Sequence, residues 1–235
     1  MKDSKILREH NSTITYSKYN WSLLKKKRAN AKKLLEMFVK EGLNPYLYGS
    51  IARGDVHESS DIDIVFTQKV PSFQIEYILN KAGHENYFRE IIMATPSDSI
   101  KLYIYLSELE SITVPISNFS KKIMEFYTYG GKITLKDIDS ETRIAGIDKR
   151  LVLIKPNQYG HEESSIIGNE VLAAKTVGVN IDTVNERKRV LLRRERFGRT
   201  GVFLRRKLNI NESTENVLKD LAKKKSIIRK KLNKL

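Results

Sequence analysis

The chain has 235 residues, 40% of them hydrophobic, which is enough for one substantial core and a smaller second one. It has no cysteine, which excludes disulfides and thiolate metal sites. The first residues are polar and charged, and no apolar run approaches eighteen residues, so we expect a cytoplasmic protein without a membrane span.

The first predicted element is an amphipathic helix over residues 21–40. Leucines such as Leu23, Leu24 and Leu34 recur at helical spacing, and lysines occupy the remaining positions. We expect the apolar face to pack on the first strand and the lysines to be solvated.

A second segment combines a glycine turn with two aspartates. It reads Tyr48-Gly49-Ser50, then about ten residues, then Asp61-Ile62-Asp63-Ile64. In a strand, Asp61 and Asp63 point to one side, and the isoleucines point to the other, toward the core. Two carboxylates about 7 Å apart repel each other, and divalent cations relieve that repulsion. The pattern predicts metal ligands at Asp61 and Asp63, with magnesium favoured because it shares hard oxygen ligands with substrate phosphates.

The glycine turn predicts a nucleotide-binding site. Gly49 allows close backbone approach, Ser50 offers a hydroxyl and an N–H to phosphate, and Arg53 offers a guanidinium fork. Gly49 and Gly54 have the spacing that opens a P-loop. That motif continues with Lys and then Ser or Thr, whereas this chain has Asp55 and Val56, so a P-loop is excluded.

The segment from Tyr48 to Phe66 resembles the signature of the DNA polymerase β superfamily of nucleotidyltransferases. The resemblance implies an α/β fold with a mixed sheet, transfer of a nucleoside monophosphate from an NTP substrate, and two Mg²⁺ or Mn²⁺ ions held by catalytic carboxylates. The alternative is an ordinary strand with two solvent-facing aspartates after a glycine turn.

Members of this superfamily usually have a third carboxylate on a later strand. A helix is predicted over residues 71–82 and a strand over residues 87–94, where Glu90 is the only carboxylate. We therefore predict Glu90 as the third catalytic metal ligand. Asp98 and Glu108, which flank a predicted strand over residues 101–106, are the alternative ligands. The alternative for Glu90 itself is an exposed glutamate on a strand with no role in metal binding.

The second half of the chain is much more basic than the first. Residues 1–150 carry 23 Lys and Arg against 19 Asp and Glu, whereas residues 151–235 carry 20 against 9. Such density suits a nucleic-acid backbone, DNA or RNA. A predicted strand over residues 150–154 precedes a turn-rich segment, so we place the domain boundary there, with a nucleotidyltransferase domain at 1–155 and a basic domain at 156–235.

The basic region has the frame of a helix-turn-helix. One helix ends at Gly178, a second begins near Asn180 or Asp182, and a turn followed by a strand over residues 202–206 resembles the wing of a winged helix. A last helix, capped by Asn211 or Ser213, follows. The predicted nucleic-acid contacts are Arg187, Lys188, Arg193, Arg194, Arg199, Arg205 and Arg206. The alternative is a basic domain that docks on a protein.

Together these observations predict an α/β nucleotidyltransferase head followed by a mainly α winged-helix domain. The arrangement resembles small archaeal nucleotidyltransferases with a C-terminal helix-turn-helix. The alternative function is a DNA-binding regulator or antitoxin-like protein whose head senses nucleotide without catalysis. The sequence leaves open the acceptor, the base of the NTP, the choice between DNA and RNA, and whether the protein forms oligomers.

Overall fold

A computed structural model describes residues 5–233 of the chain. In chain order its elements are β1 (Asn11–Thr15), α1 (Lys18–Val39), β2 (Tyr46–Tyr48), α2 (Ser50–Arg53), β3 (Ile62–Val65), α3 (Ser72–Lys81), β4 (Phe88–Met93), β5 (Lys101–Ser107), β6 (Glu110–Pro115), α4 (Lys121–Gly130), β7 (Lys132–Ile133), α5 (Leu135–Asp139), β8 (Gly146–Ile147), β9 (Val152–Asn157), β10 (Gly160–Ser165), α6 (Glu170–Val177), α7 (Ile181–Phe197), β11 (Leu204–Leu208), α8 (Thr214–Lys224) and α9 (Ser226–Leu232). Within the described range, no helix combines the length and apolar character needed to cross a membrane.

The chain forms two compact units, each assembled from separate segments. The first contains the residues up to Lys32 together with Leu47–Ser60 and Lys121–Thr200, and the second contains Lys33–Tyr46, Asp61–Ser120 and the residues from Gly201 onward. The predicted boundary near residue 156 lies within the Lys121–Thr200 segment of the first unit, and the assignment of two domains stays a prediction.

The first unit contains a four-stranded antiparallel sheet in the order β1-β10-β9-β8. The strand predicted near residues 150–154 is β9, and it lies in this sheet. Apolar side chains of β8, β9, α6 and α7 form a buried cluster, which includes Ile147, Leu153, Ala173, Ala174, Val177, Val184 and Leu191. The small alanines of α6 lie in this cluster.

The helix pair predicted in the basic region is present in the first unit. Helix α6 ends at Gly178, which adopts the left-handed conformation with φ 70°, and α7 begins after Asn180, whose side chain accepts a hydrogen bond from the N–H of Asp182. Both end signals were readable in the sequence because they depend on local backbone chemistry.

The second unit contains a mixed sheet, which confirms the predicted α/β class. Five of its strands lie in the order β11-β4-β5-β6-β3, with β3 parallel to β6 and the other neighbours antiparallel. Alternation along the strands buries one face, since Ile64, Ile91, Leu102, Ile104 and Ile112 are all fully buried. Asp63 lies on the opposite face.

The expected wing of a winged helix is not formed. The strand predicted at residues 202–206 is β11, and it pairs with β4 from Leu204 opposite Met93 to Leu208 opposite Arg89. Leu204 and Leu208 are buried, whereas Arg205 and Lys207 are exposed, so β11 is an amphipathic strand that covers the edge of a sheet. The last predicted helix begins at α8 with Ser213 as its cap, and α9 follows.

Candidate functional site

Gly49 forms the turn between β2 and α2. Its φ of 93° and ψ of −146° lie in a region that is essentially restricted to glycine. Its N–H donates to the carbonyl of Gly131, and its own carbonyl accepts from the N–H groups of Ala52 and Arg53. The hydrophobic-Gly-Ser motif is therefore a sharp strand-to-helix turn. In the described part of the chain, no heavy atom beyond the chain neighbours lies within 4 Å of the position that a Cβ on Gly49 would take.

Ser50 and Ser60 connect the two ends of the loop inside the motif. The Ser50 hydroxyl donates to the Ser60 hydroxyl at 3.2 Å, and Ser60 Oγ also accepts from the N–H of His57 at 2.8 Å. Lys27 donates to the Ser60 carbonyl at 2.7 Å. The hydrogen bond between Ser50 and Ser60 thus joins the two ends of the loop that separates the halves of the motif.

Arg53 has a structural role that differs from the predicted phosphate contact. Its side chain is buried, with 5% exposed, and it donates through Nε and Nη2 to both carboxylate oxygens of Asp55, at 2.9 and 2.8 Å. Its Nη1 donates to the carbonyl of Gly130. All three nitrogens of the guanidinium are therefore engaged inside the first unit. The sequence could not show this, because the partner carbonyl lies far along the chain.

Asp61 and Asp63 lie at the beginning of β3. Asp61 immediately precedes the strand, Asp63 is its second residue, and both side chains are half-buried. Ser111 of β6 lies directly opposite Asp63, and its hydroxyl donates to Asp63 Oδ1 at 2.6 Å. This bond fixes the orientation of the carboxylate.

Ser111 was missed by the sequence interpretation. Strand β6 was not predicted, although Ile112 and Val114 alternate with polar residues after the Ser107–Leu109 turn. That alternation was the available signal. The pairing of β6 with β3, which gives Ser111 its position, is a long-range contact that the local pattern does not reveal.

Glu90 is not brought to the two aspartates. It lies on β4, which β5 and β6 separate from β3, so roughly 14 Å of sheet lies between the strands. Its side chain is 0% exposed, and both of its oxygens accept from Nε and Nη2 of Arg205 at 3.0–3.2 Å. The geometry thus makes Glu90 the partner of a β11 arginine. Its predicted role as third metal ligand has no support from this arrangement.

The donor set at β3 suits a hard divalent cation. In the described part of the chain, no group of three or more His, Cys, Asp or Glu side chains is placed to hold a metal. Asp61 and Asp63 nevertheless supply two carboxylates, and Mg²⁺ is commonly held by one or two carboxylates together with substrate phosphates and water. The residues present therefore fit a metal that binds with its nucleotide.

The predicted nucleic-acid contacts fall into two groups. Arg193, Arg194 and Arg199 are exposed, at or just beyond the C-terminal half of α7. Among the remaining four, Arg187 lies over the ring of Phe126, Lys188 pairs with Glu170, Arg205 with Glu90, and Arg206 with Glu212. Contact with nucleic acid stays a prediction for all seven residues.

Comparison with known families agrees with the motif. Residues 29–128 match the family model described as nucleotidyltransferase domain. Neither the curated proteins nor the solved structures gave a significant match. The matched range contains Gly49, Ser50, Asp61, Asp63 and Ser111. It ends before the basic helices, so it supports nucleotidyl transfer in general and leaves the C-terminal region unassigned.

Proposed function

We propose that this chain is a metal-dependent nucleotidyltransferase that moves a nucleoside monophosphate from an NTP to a hydroxyl acceptor. The observation that carries the proposal is the pair Asp61 and Asp63 at the start of β3, with Asp63 oriented by Ser111 inside the range that matches the nucleotidyltransferase domain. Fixed carboxylates at a strand end are what a metal-bound triphosphate requires.

Each part of the motif has a role in this proposal. Asp61 and Asp63 would hold Mg²⁺ or Mn²⁺, which lowers the pKa of a hydroxyl and neutralises triphosphate charge. Gly49 and Ser50 bind the triphosphate, because the open space beside Gly49 allows phosphate oxygens close to the backbone. Ser111 keeps Asp63 in one orientation.

The proposed reaction is a single displacement. The acceptor oxygen forms a bond to the α-phosphorus, the bond from the α-phosphorus to the bridging oxygen of the β-phosphate breaks, and pyrophosphate leaves. The hydroxyl proton is released to water. The positions of the protein groups, rather than a protein nucleophile, provide the catalysis.

The test uses NTPs labelled at the α-phosphate, with Mg²⁺ or Mn²⁺, and separate RNA, DNA and protein fractions as acceptors. We expect labelled product from the wild type and a loss of about 100-fold or more in Asp61→Asn and Asp63→Asn. Asp220→Asn, on the exposed surface of α8, is the matched control. Equal labelling by the wild type and both variants would contradict a catalytic role for Asp61 and Asp63.

A second candidate function is a regulator whose head binds nucleotide without transferring it. The observation that favours it is the pairing of Glu90 with Arg205, since this carboxylate does not join Asp61 and Asp63. The same assay separates the two functions. A regulator would bind NTP in an Asp63-dependent manner, measured by calorimetry, and would yield no labelled product with any acceptor fraction.

We also propose that α7 and the turn after it contact nucleic acid through exposed arginines. Affinity for DNA or RNA should then fall steeply with salt, and the slope should become shallower when Arg193, Arg194 and Arg199 are changed to Gln. Salt-independent binding, or none at low salt, would instead indicate that α7 docks on a protein.

A further inference from the structure

One row of side chains crosses the sheet from Asp63 to β4. Asp63 lies opposite Ser111, Ser111 opposite Tyr105, and Tyr105 opposite Phe88. Residues opposite each other in neighbouring strands share a face of the sheet. The face that carries Asp63 therefore continues over β6 and β5 to the aromatic side chains of β5 and β4.

The aromatic side chains form a platform, which we define as Phe88, Tyr103 and Tyr105. The rings of Phe88 and Tyr105 are stacked with centroids 5.8 Å apart, and those of Tyr103 and Tyr105 with centroids 6.3 Å apart. Phe88 is 40% exposed although it lies on a strand of the sheet. An open groove of about 740 Å³, lined in part by Phe88 and Tyr105, lies over this end of the platform.

Cationic side chains flank the groove. Lys207 places its ammonium 5.4 Å from the centroid of the Phe88 ring, and Arg205, also from β11, has 60% of its side chain exposed. Glu90, beneath Arg205, is fully buried and serves to hold the guanidinium in place. Glu108 is an acidic residue on the lining. Residues 201–235, which supply both cations, carry eleven Lys and Arg against three Asp and Glu.

Rings in a row with cations beside them match the chemistry of a single nucleic-acid strand. Successive bases stack on aromatic side chains, and basic groups follow the phosphates. The row from Phe88 to Asp63 spans three strand spacings, roughly 14 Å, so bases on the platform would lie two to three strand spacings from Asp63. Several rings in succession, with cations beside them, suit the successive bases of a strand.

We infer that the platform binds the 3′ end of a single-stranded nucleic acid, with the bases on Phe88 and Tyr105 and the phosphates near Arg205 and Lys207. The terminal hydroxyl then lies toward Asp63 and is the acceptor of the transfer. The inference rests on the proposed function for the acceptor role, whereas the binding of the strand stands on the platform itself.

The binding test uses labelled 12-nucleotide RNA and DNA strands and fluorescence anisotropy. Phe88→Leu and Tyr105→Leu should each raise the Kd about 5- to 100-fold, because each removes a stacking surface. Phe88→Tyr and Tyr105→Phe keep a ring and should restore affinity. Phe73→Leu, which changes a 65% exposed aromatic on α3, is the matched control and should have no effect.

Two further measurements refine the test. Lys207→Gln should reduce the slope of log Kd against log salt by about one. The aromatic series is repeated in an Arg193→Gln, Arg194→Gln background, so that binding at α7 does not mask the platform. A mononucleotide that competes as well as the strand would overturn the inference in favour of a base pocket for free nucleotide.

The transfer arm separates this inference from the proposed function. Asp63→Asn should abolish labelling and leave the Kd for the strand unchanged, whereas Phe88→Leu should raise the KM for the acceptor strand. If transfer depends on Asp63 but Phe88→Leu and Tyr105→Leu leave the Kd and the KM for the strand unchanged, the platform does not bind the strand. The proposed function would be unaffected by that result. Ring-dependent binding without any transfer would support the strand site and overturn its role as acceptor.

Discussion

The hydroxyl of Ser111 donates to Oδ1 of Asp63 at 2.6 Å, between two parallel strands. A serine at this position supplies no charge, but it restricts the rotation of the carboxylate that would bind the metal. The bond also occupies one lone pair of that carboxylate, so the metal must use the others.

We expect Ser111→Ala to lower kcat/KM for nucleotidyl transfer by about 10- to 150-fold, because a hydrogen bond to a charged group is worth about 1.5–3 kcal/mol. Thermal stability should change little. Ser107→Ala, which removes a hydroxyl at the end of β5, is the control. Unchanged transfer in Ser111→Ala at limiting Mg²⁺ would show that Asp63 needs no orienting partner.

Arg53 and Asp55 should behave as a coupled pair in stability measurements. Arg53→Gln and Asp55→Asn should each lower the free energy of unfolding by about 3 kcal/mol, because each leaves a buried charge without its partner. The double variant should lose much less than the sum. The exposed pair Lys81 and Glu41 is the comparison, and its removal should cost much less because solvent screens both charges. Additive losses at Arg53 and Asp55 would contradict the pairing.

Glu90→Gln should show whether Glu90 is a metal ligand or only the salt-bridge partner of Arg205. We expect the Mg²⁺ concentration for half-maximal transfer to be unchanged, while the free energy of unfolding falls by about 1–3 kcal/mol because the bond to Arg205 is weakened. Asp63→Asn provides the reference for a damaged metal site. If Glu90→Gln raised the Mg²⁺ requirement, Glu90 would be the third ligand that the sequence suggests.

Glu163 should make the free energy of unfolding depend on pH in the acidic range. Burial raises the pKa of this carboxyl, but hydrogen bonds from Arg150 and His10 outweigh burial and lower it to about 2. The lowered pKa stabilises the folded protein above about pH 4.5, and this contribution is lost as the pH falls toward 2. Urea unfolding of the wild type and Glu163→Gln should differ by about 2 kcal/mol at pH 7 and converge only below about pH 2. Parallel pH profiles would exclude this linkage.

Sequence patterns correctly predicted several helices, strands and turns whose formation depends on neighbouring residues. Helix α1, helix α3, strand β4 and the turn at Gly178 were all expected, because periodicity and backbone preference act over a few residues. The strand position of Asp63 was expected for the same reason, whereas Asp61 lies one residue before that strand.

The failures concern pairing between distant segments. Nothing local in Glu90 indicates Arg205 as its partner, and nothing near Val202 indicates that the following strand joins β4 instead of forming a wing. Ser111 was missed because its importance comes from the neighbouring strand. Contacts of this kind depend on the topology of the sheet, which no short motif specifies.

Strand β11 also has a consequence for synthesis on the ribosome. Met93 pairs with Leu204, so β4 remains an open edge while more than one hundred intervening residues are translated. Such a pairing closes slowly, and an exposed edge invites other chains in the meantime. Lys207 and Arg205 reach the platform only with that strand. If the platform binds nucleic acid as we propose, the nascent chain acquires that face after its aspartates, and premature termination before Leu204 would release a chain that lacks β11 and cannot hold a nucleic-acid end.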